Sequence, residues 1–148
     1  MERLRTILLA EDSQKDVELI LEALEDNNLA NQVVVVHDGV EALEYLRRKG
    51  KYALRKTGNP IVILLDIKMP RMDGMEVLRT IRGDASLKII PVVILTSSRE
   101  EKDLFNSYDL GVNAYVVKPV DFQQFIGAIK LTGSFWAVIN ELPYEKEG

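Results

Sequence analysis

The sequence of 148 residues contains no cysteine and a single histidine, His37. Without cysteine, disulfide bonds, zinc–thiolate sites and thiol nucleophiles are all excluded. With one histidine, a metal site built from several histidines of one chain is excluded as well. Because Asp38 and Gly39 follow His37, we expect this histidine to be a turn residue rather than a metal ligand.

The sequence also lacks a large net charge and any long apolar run. Its 19 basic and 23 acidic residues give a formal charge of −4, which argues against electrostatic binding of nucleic acid. A membrane helix needs about 20 consecutive apolar residues and a secretory signal about 7–15, and the sequence contains neither. We therefore expect a cytoplasmic protein without a membrane partner. At roughly 100–150 residues per domain, the length predicts a single domain over residues 1–148, with a C-terminal extension from about residue 131.

Five short apolar runs predict five buried strands. They are rich in Val, Ile and Leu, as strands buried on both faces are, and they cover residues 7–10, 33–36, 61–65, 91–95 and 114–117. Segments with helical spacing of apolar residues lie between and after them, and Ser13 with Asp16 resembles a helix-capping pair. The alternation of strand and helix, repeated five times, predicts an α/β fold with a parallel sheet and helices on both faces.

Polar side chains that can bind a metal or take part in a reaction follow four of the five runs. In chain order they are Glu11, Asp12, Asp66, Thr96, Ser97 and Lys118. Any one of them alone is typical of a turn or a helix cap. Because the carboxyl ends of parallel strands meet at one edge of the sheet, the set as a whole predicts one site there.

Three carboxylates at one point predict a divalent cation. At about 4 Å and an effective dielectric near 20, each like-charge pair costs roughly 4 kcal/mol, and one lysine cannot neutralise three carboxylates. Oxygen ligands suit Mg²⁺ or Mn²⁺, and Mg²⁺ in proteins is commonly completed by a phosphate. A phosphoryl group is thus the expected ligand, with Asp66 as a plausible nucleophile and with Lys118 and Thr96 holding its other oxygens.

The motifs at these strand ends resemble the receiver domain of two-component response regulators. The matching segments are ILLAEDS at residues 7–13, ILLDIKMPRMDG at 63–74, PVVILTS at 91–97 and YVVKP at 115–119. The resemblance covers about residues 5–129 and implies a single receiver domain. It also implies a flavodoxin-like, doubly wound, five-stranded parallel sheet in the order 2-1-3-4-5 with five helices.

This resemblance implies a phosphoacceptor and a metal site. Asp66 corresponds to the phosphorylated residue. The Mg²⁺ ligands would be Glu11, through water, together with Asp12, Asp66 and the backbone carbonyl of Lys68. The long cationic side chain of Lys68, two residues after the acceptor, departs from the commonest pattern, and its ammonium would screen the phosphate or affect the access of the hydrolytic water.

The same resemblance implies a switch. Thr96 corresponds to the hydroxyl that moves toward the phosphate, and Tyr115 corresponds to the aromatic ring that turns inward with it. Lys118 corresponds to the lysine that pairs with the phosphate, and its peptide bond to Pro119 is expected to be cis. The affected surface would be the face formed by the fourth helix, the fifth strand and the fifth helix.

The implied activity is that of a signalling phosphoacceptor rather than an enzyme with a substrate to turn over. A histidine kinase would supply the phosphoryl group, and the domain would catalyse its own phosphotransfer and slow dephosphorylation. Its output would be contact with a downstream protein or onward transfer to a phosphotransfer protein.

Two further segments carry narrower expectations. GSFW at 133–136 and ELP at 141–143 are similar to the end of regulators paired with phytochrome-type histidine kinases, although the aromatic pair could equally pack on the domain body. Trp136 also motivates the hypothesis of a homodimer. The basic stretch from Arg47 to Asn59 is longer than usual, and we interpret it as a surface insertion rather than a contact for a partner.

Three alternative functions differ from this one at specific positions. A haloacid-dehalogenase-type phosphatase needs a second acid two residues after its nucleophile, where this chain has Lys68. A flavodoxin-type flavin site needs a phosphate loop after the first strand, where Glu11 and Asp12 would repel a phosphate. A receiver that works as an interaction module without phosphorylation stays open, and Mg²⁺-dependent labelling would distinguish it.

Overall fold

The computed structural model describes residues 6–26, 32–97 and 111–132. Its elements are β1 (Ile7–Ala10), α1 (Gln14–Glu25), β2 (Val33–Val36), α2 (Gly39–Arg47), a 3-10 helix (Gly50–Tyr52), β3 (Val62–Asp66), α3 (Gly74–Arg82), β4 (Val92–Thr96), β5 (Ala114–Val117) and α4 (Phe122–Thr132). All strand pairs are parallel, in the order β2-β1-β3-β4-β5. The predicted fold class and strand order are confirmed.

Four α-helices lie within the described residues, whereas five were predicted. The helix expected between β4 and β5 would fall on residues 98–110, outside the described part of the chain, so that α4 here is the predicted fifth helix. The tail motifs at 133–136 and 141–143, with Trp136, also lie outside it. Among the described residues, no helix combines the length and apolar character needed to cross a membrane.

The sheet separates two apolar cores because successive side chains of a strand point to opposite faces. On one face, Leu9 of β1 packs in a cluster with Ile20 of α1 and Phe125 of α4. On the other face, Leu8 belongs to a cluster with Leu78 of α3. Every residue of β1, β3 and β4 is buried, which explains why these strands are apolar along almost their whole length.

Two strands extend one residue further than their apolar runs. Asp66 is the last residue of β3 and pairs with Leu95, and Thr96 is the last residue of β4 and pairs with Val117. Sequence patterning placed both just after their strands, because a polar residue breaks the apolar run while the backbone ladder continues. Both residues are therefore fixed by the sheet rather than by a loop.

The basic stretch after α2 is attached to the end of that helix. Arg48, at φ 55°, is the C-cap of α2. The Arg55 guanidinium donates to the backbone oxygens of Tyr45 at 2.9 Å and Thr57 at 2.7 Å, and it lies 4.2 Å from the centre of the Tyr45 ring. Through Tyr45, Arg55 adds a donor to a last-turn carbonyl of α2 that also accepts from the Arg48 amide, and through Thr57 it ties the following segment to the helix end.

Candidate functional site

A cleft of about 330 Å³ opens at the carboxyl edge of the sheet. Its lining residues come from the ends of β1, β3, β4 and β5 and from the first turn of α1: Glu11, Asp12, Ser13, Asp16, Asp66, Lys68, Ser97 and Lys118. The structure thus brings together most of the polar residues that the strand ends predicted. Thr96 and Tyr115 are not among the residues that line it.

The β3 ladder and the loop that follows it both fix the backbone of Asp66. It closes the β3 ladder, and 5% of its surface is exposed. The loop after it returns so closely that the amide of Gly74 donates to the Ile67 carbonyl at 2.7 Å. A Cβ atom at position 74 would overlap the Asp66 carbonyl oxygen, so only glycine fits at the start of α3.

Three carboxylates form an acidic cluster, defined as Glu11, Asp12 and Asp66. Their ligand oxygens lie within 4.8 Å of one another. Glu11 is fully buried, and its Oε2 accepts from the Ser13 amide at 3.2 Å, whereas Asp12 is exposed. Three hard oxygen donors, two of them buried and one open to water, fit a divalent cation of the Mg²⁺ or Mn²⁺ type.

The Lys118 ammonium enters the cleft from the end of β5. Its Nζ donates to Glu11 Oε1 at 3.2 Å, to Asp16 Oδ2 at 3.0 Å and to Asp66 Oδ1 at 3.1 Å. Its backbone amide donates to the Thr96 carbonyl at 2.8 Å, which ties the ends of β4 and β5 together. The Lys118–Pro119 peptide bond is cis, as expected.

Negative charge exceeds positive charge in this cleft. Burial, and then the charge of Asp66, raise the pKa of Glu11 to about 7 against the opposing Ser13 amide and Lys118. Burial likewise raises the pKa of Asp66, although Lys118 lowers it. Burial would lower the pKa of Lys118, but its hydrogen bond to Asp16 and the charge of Asp66 outweigh burial and raise it. The carboxylates therefore lack the positive charge that full ionisation requires.

The two residues predicted as a switch lie on neighbouring strands. Thr96 is fully buried at the end of β4. Tyr115 lies on β5 opposite Ile94, is half-buried, and packs against the core that contains Leu8; burial raises the pKa of its phenol. Thr96 immediately precedes Ser97, which lines the cleft.

Sequence reasoning missed one member of the site. Asp16 was interpreted only as a partner of the Ser13 cap, and that cap is present, because the Asp16 amide donates to Ser13 Oγ at 3.3 Å. The Asp16 carboxylate, however, contacts Lys118. The sequence did contain a signal for this position. Asp16 lies in the first turn of α1, and that helix begins only three residues after Glu11.

With this geometry in place, comparison with known proteins defines the family. A sequence profile of the response regulator receiver domain matches residues 7–130. The chain therefore belongs to the response regulator receiver family of two-component signalling proteins.

The similar proteins include several phytochrome response regulators. A structure of the bacteriophytochrome response regulator RtBRR is 57% identical, with a TM-score of 0.87 over 95% of this chain and 84% of that one. The phosphorylated cyanobacterial phytochrome response regulator RcpA is 43% identical, with a TM-score of 0.71 over 94% and 98%. Response regulator Rcp1 of Synechocystis sp. is 37% identical over 94% of this chain and 93% of its own length.

A Mn²⁺-bound structure of Rcp1 also aligns with this chain, with a TM-score of 0.69 over 89% of this chain and 94% of the other. The resemblance to phytochrome-associated regulators is thus confirmed by both sequence and structure.

Proposed function

We propose that this protein accepts a phosphoryl group on Asp66 from a histidine kinase, with Mg²⁺ at the acidic cluster, and then switches a protein-interaction face. The observation that carries the proposal is the position of Asp66. Its carboxylate lies 3.1 Å from the Lys118 ammonium on one side and within 4.8 Å of the other two acids of the cluster. The carboxylate oxygen that would attack phosphorus therefore lies next to an ammonium and next to a site for a cation, and both would stabilise the negative charge of the phosphoryl group.

The transfer step follows from the residues that surround Asp66. A carboxylate oxygen of Asp66 attacks the phosphorus of a phosphohistidine in line, the P–N bond breaks with its electron pair leaving on the imidazole, and an acyl phosphate forms. Lys118 offsets charge on the phosphoryl oxygens. When bound by Glu11, Asp12, Asp66 and the Lys68 carbonyl, Mg²⁺ would supply the remaining positive charge.

The output requires that the new charge change the structure nearby. In the proposed switch, the Thr96 hydroxyl moves toward the phosphoryl group and Tyr115 follows. Val117 of β5 and Leu131 of α4 are 42% and 72% exposed, so two of the elements expected to form this face present apolar surface. A downstream protein that prefers one arrangement of this face would then respond to phosphorylation.

The relatives support the choice of kinase. RtBRR and RcpA are phytochrome response regulators, and RcpA has been observed in a phosphorylated form. We therefore propose a phytochrome-type histidine kinase as the phosphoryl donor. In this reading the domain catalyses its own phosphotransfer and slow dephosphorylation, and it has no other substrate.

The proposal is tested by incubating the protein with acetyl phosphate, with and without Mg²⁺, and measuring intact mass. We expect one Mg²⁺-dependent phosphoryl adduct, abolished in Asp66→Asn. Asp26→Asn, which makes the same chemical change at an exposed site at the end of α1, is the matched control and should label normally. An adduct that survives in Asp66→Asn would place the acceptor elsewhere. Folded protein that takes up no phosphoryl group from acetyl phosphate or from a purified phospho-kinase would overturn the proposal.

A further inference from the structure

One of the three carboxylates on Lys118 lies outside the acidic cluster. Asp16 Oδ2 is 3.0 Å from Lys118 Nζ, compared with 3.2 Å for Glu11 and 3.1 Å for Asp66. Asp16 belongs to the first turn of α1, whereas Glu11 and Asp66 lie at strand ends. An ammonium has three N–H donors, so these three acceptors account for all of them.

Asp16 is also in a different environment from the other two acceptors. Its side chain is 28% exposed, whereas those of Glu11 and Asp66 are 0% and 8% exposed. The N-cap hydrogen bond of α1 does not use the Asp16 carboxylate, because it runs from the Asp16 backbone amide to Ser13 Oγ. The carboxylate is therefore available to hold Lys118.

Phosphoryl transfer changes the acceptors of Lys118 unequally. When Asp66 becomes an acyl phosphate, its carboxyl oxygens lose their full negative charge, and their hydrogen bond to an ammonium becomes weaker. Glu11 belongs to the cluster assigned to the cation. Asp16 is covalently unchanged and outside that cluster, so its attraction for Lys118 persists through the reaction.

We propose that Asp16 is a positioning residue, whose carboxylate holds the Lys118 ammonium beside the acceptor before transfer and beside the phosphoryl group after it. This inference rests on the proposed phosphorylation of Asp66. Asp16 itself forms no bond to the phosphoryl group and acts only through Lys118.

The test is a double-mutant cycle on the rate of phosphorylation by acetyl phosphate. Asp16→Asn removes the charge and keeps the shape. Glu18→Gln is the matched control, because it removes one negative charge from the same helix at an exposed position bonded only to Gln14 among the contacts described. Groups coupled by direct contact interact by about 0.5–3 kcal/mol, so Asp16→Asn should slow phosphorylation roughly 2- to 150-fold, while Glu18→Gln leaves the rate unchanged.

The second half of the cycle places Asp16→Asn in a Lys118→Ala background. If Asp16 acts through Lys118, the substitution should have no further effect there. Equal slowing in both backgrounds, or no slowing in the native background, overturns the proposal.

The Mg²⁺ dependence separates positioning from metal binding. Rates are measured over a Mg²⁺ titration, and the deficit of Asp16→Asn should persist at saturating Mg²⁺. A deficit that disappears at saturation would mean that Asp16 contributes only negative charge for the cation, which also overturns the proposal.

A second measurement needs neither phosphorylation nor the Lys118→Ala variant, so it applies even if that variant does not fold. In protein with isotope-labelled lysine, proton exchange of the Lys118 ammonium should be faster in Asp16→Asn than in the native protein or in Glu18→Gln. Unchanged exchange would show that the contact does not hold Lys118. If the native protein takes up no phosphoryl group while exchange changes as expected, the proposed function fails and the Asp16–Lys118 contact stands.

Discussion

Two buried glutamates, Glu11 and Glu41, lie in contrasting surroundings. Glu11 is 0% exposed and Glu41 is 8% exposed. The Glu41 carboxylate receives the His37 amide at 2.9 Å and the Tyr52 hydroxyl at 2.8 Å, and it pairs with Lys51 at 3.0 Å. All three neighbours are hydrogen-bond donors, so the buried charge of Glu41 is well satisfied.

Glu11 has donors as well, but it shares its one cationic donor with other carboxylates. The Ser13 amide and Lys118 donate to it, while Asp66 and Asp12 lie in the same cluster. Lys118 is divided among three carboxylates.

The pKa values of the two glutamates shift in opposite directions for this reason. Burial raises both, but the hydrogen bonds from His37, Lys51 and Tyr52 outweigh burial at Glu41, and its pKa falls below the usual value. At Glu11 the charge of Asp66 adds to burial, and the pKa rises to about 7. A buried carboxylate with sufficient donors stabilises the fold. A buried carboxylate among like charges is ionised in the folded state only if additional positive charge, such as a cation, lies nearby.

The largest contrast is expected in phosphoryl uptake. Glu11→Gln should lower the Mg²⁺-dependent rate of phosphorylation by roughly 10- to 100-fold, as for other losses around a metal site, because the cluster loses one of its three charges. Glu41→Gln should leave the rate nearly unchanged. The measurement is intact mass against time with acetyl phosphate at fixed Mg²⁺. Equal losses in the two variants would remove the functional distinction between these glutamates.

In stability, unlike in phosphorylation rate, Glu41→Gln should lose more than Glu11→Gln. Glu41→Gln should lower the free energy of unfolding by about 1–3 kcal/mol, because an amide cannot accept from all three donors and a buried donor loses its partner. Without divalent metal at pH 8, Glu11→Gln should raise the free energy of unfolding, because the folded state disfavours the ionised form of Glu11. Urea unfolding measures both. Destabilisation by Glu11→Gln under these conditions would contradict the account of like-charge repulsion.

The pH dependence sharpens the same contrast. The folded pKa of Glu11 lies above its ordinary value of 4.5, so the unfolded state releases this proton first, and stability falls as the pH rises from about 4.5 to about 7. The folded pKa of Glu41 is lowered, so its stabilisation is present above 4.5 and is lost as the pH falls through the lowered value.

Metal-free unfolding from about pH 3 to about pH 8 tests these signs, because the Glu41 effect falls below its ordinary pKa and the Glu11 effect above it. The stability of Glu11→Gln relative to the native protein should increase across the range that begins at 4.5 and ends at about 7. That of Glu41→Gln should decrease as the pH rises through the acidic range. A stability difference that is constant with pH would show that Glu11 does not titrate in this range.

The smallest effect is expected at Lys51. Its side chain is 67% exposed, and Glu41 keeps its bonds from His37 and Tyr52 when the lysine is removed. Lys51→Ala should therefore change the free energy of unfolding by less than about 1 kcal/mol, the usual range for exposed ion pairs. Lys56→Ala, at another exposed position, is the control in the same urea experiment. A loss as large as that of Glu41→Gln would make Lys51 essential to the donor set.

Much of the site could be predicted because its residues follow apolar runs. Glu11, Asp12, Asp66 and Lys118 meet in the cleft as the parallel sheet required. The roles assigned to Thr96 as a switch and to Asp66 as acceptor stay predictions. The burial of Glu41 could not be read from its place in α2, because it depends on Tyr52 and Lys51 reaching back from the segment that follows the helix.

Local patterning thus sufficed for the strands, the start of α1 and the edge of the sheet that carries the candidate site. These features depend on apolar runs, caps and the rule that parallel strands end together. Tertiary packing decided which charges share a donor. Lys118 and Asp16 are separated by 102 positions, and they meet because α1 packs on the sheet with its first turn beside the end of β5. Such a contact depends on how the helix packs against the strand, and the spacing of residues along the chain does not predict it.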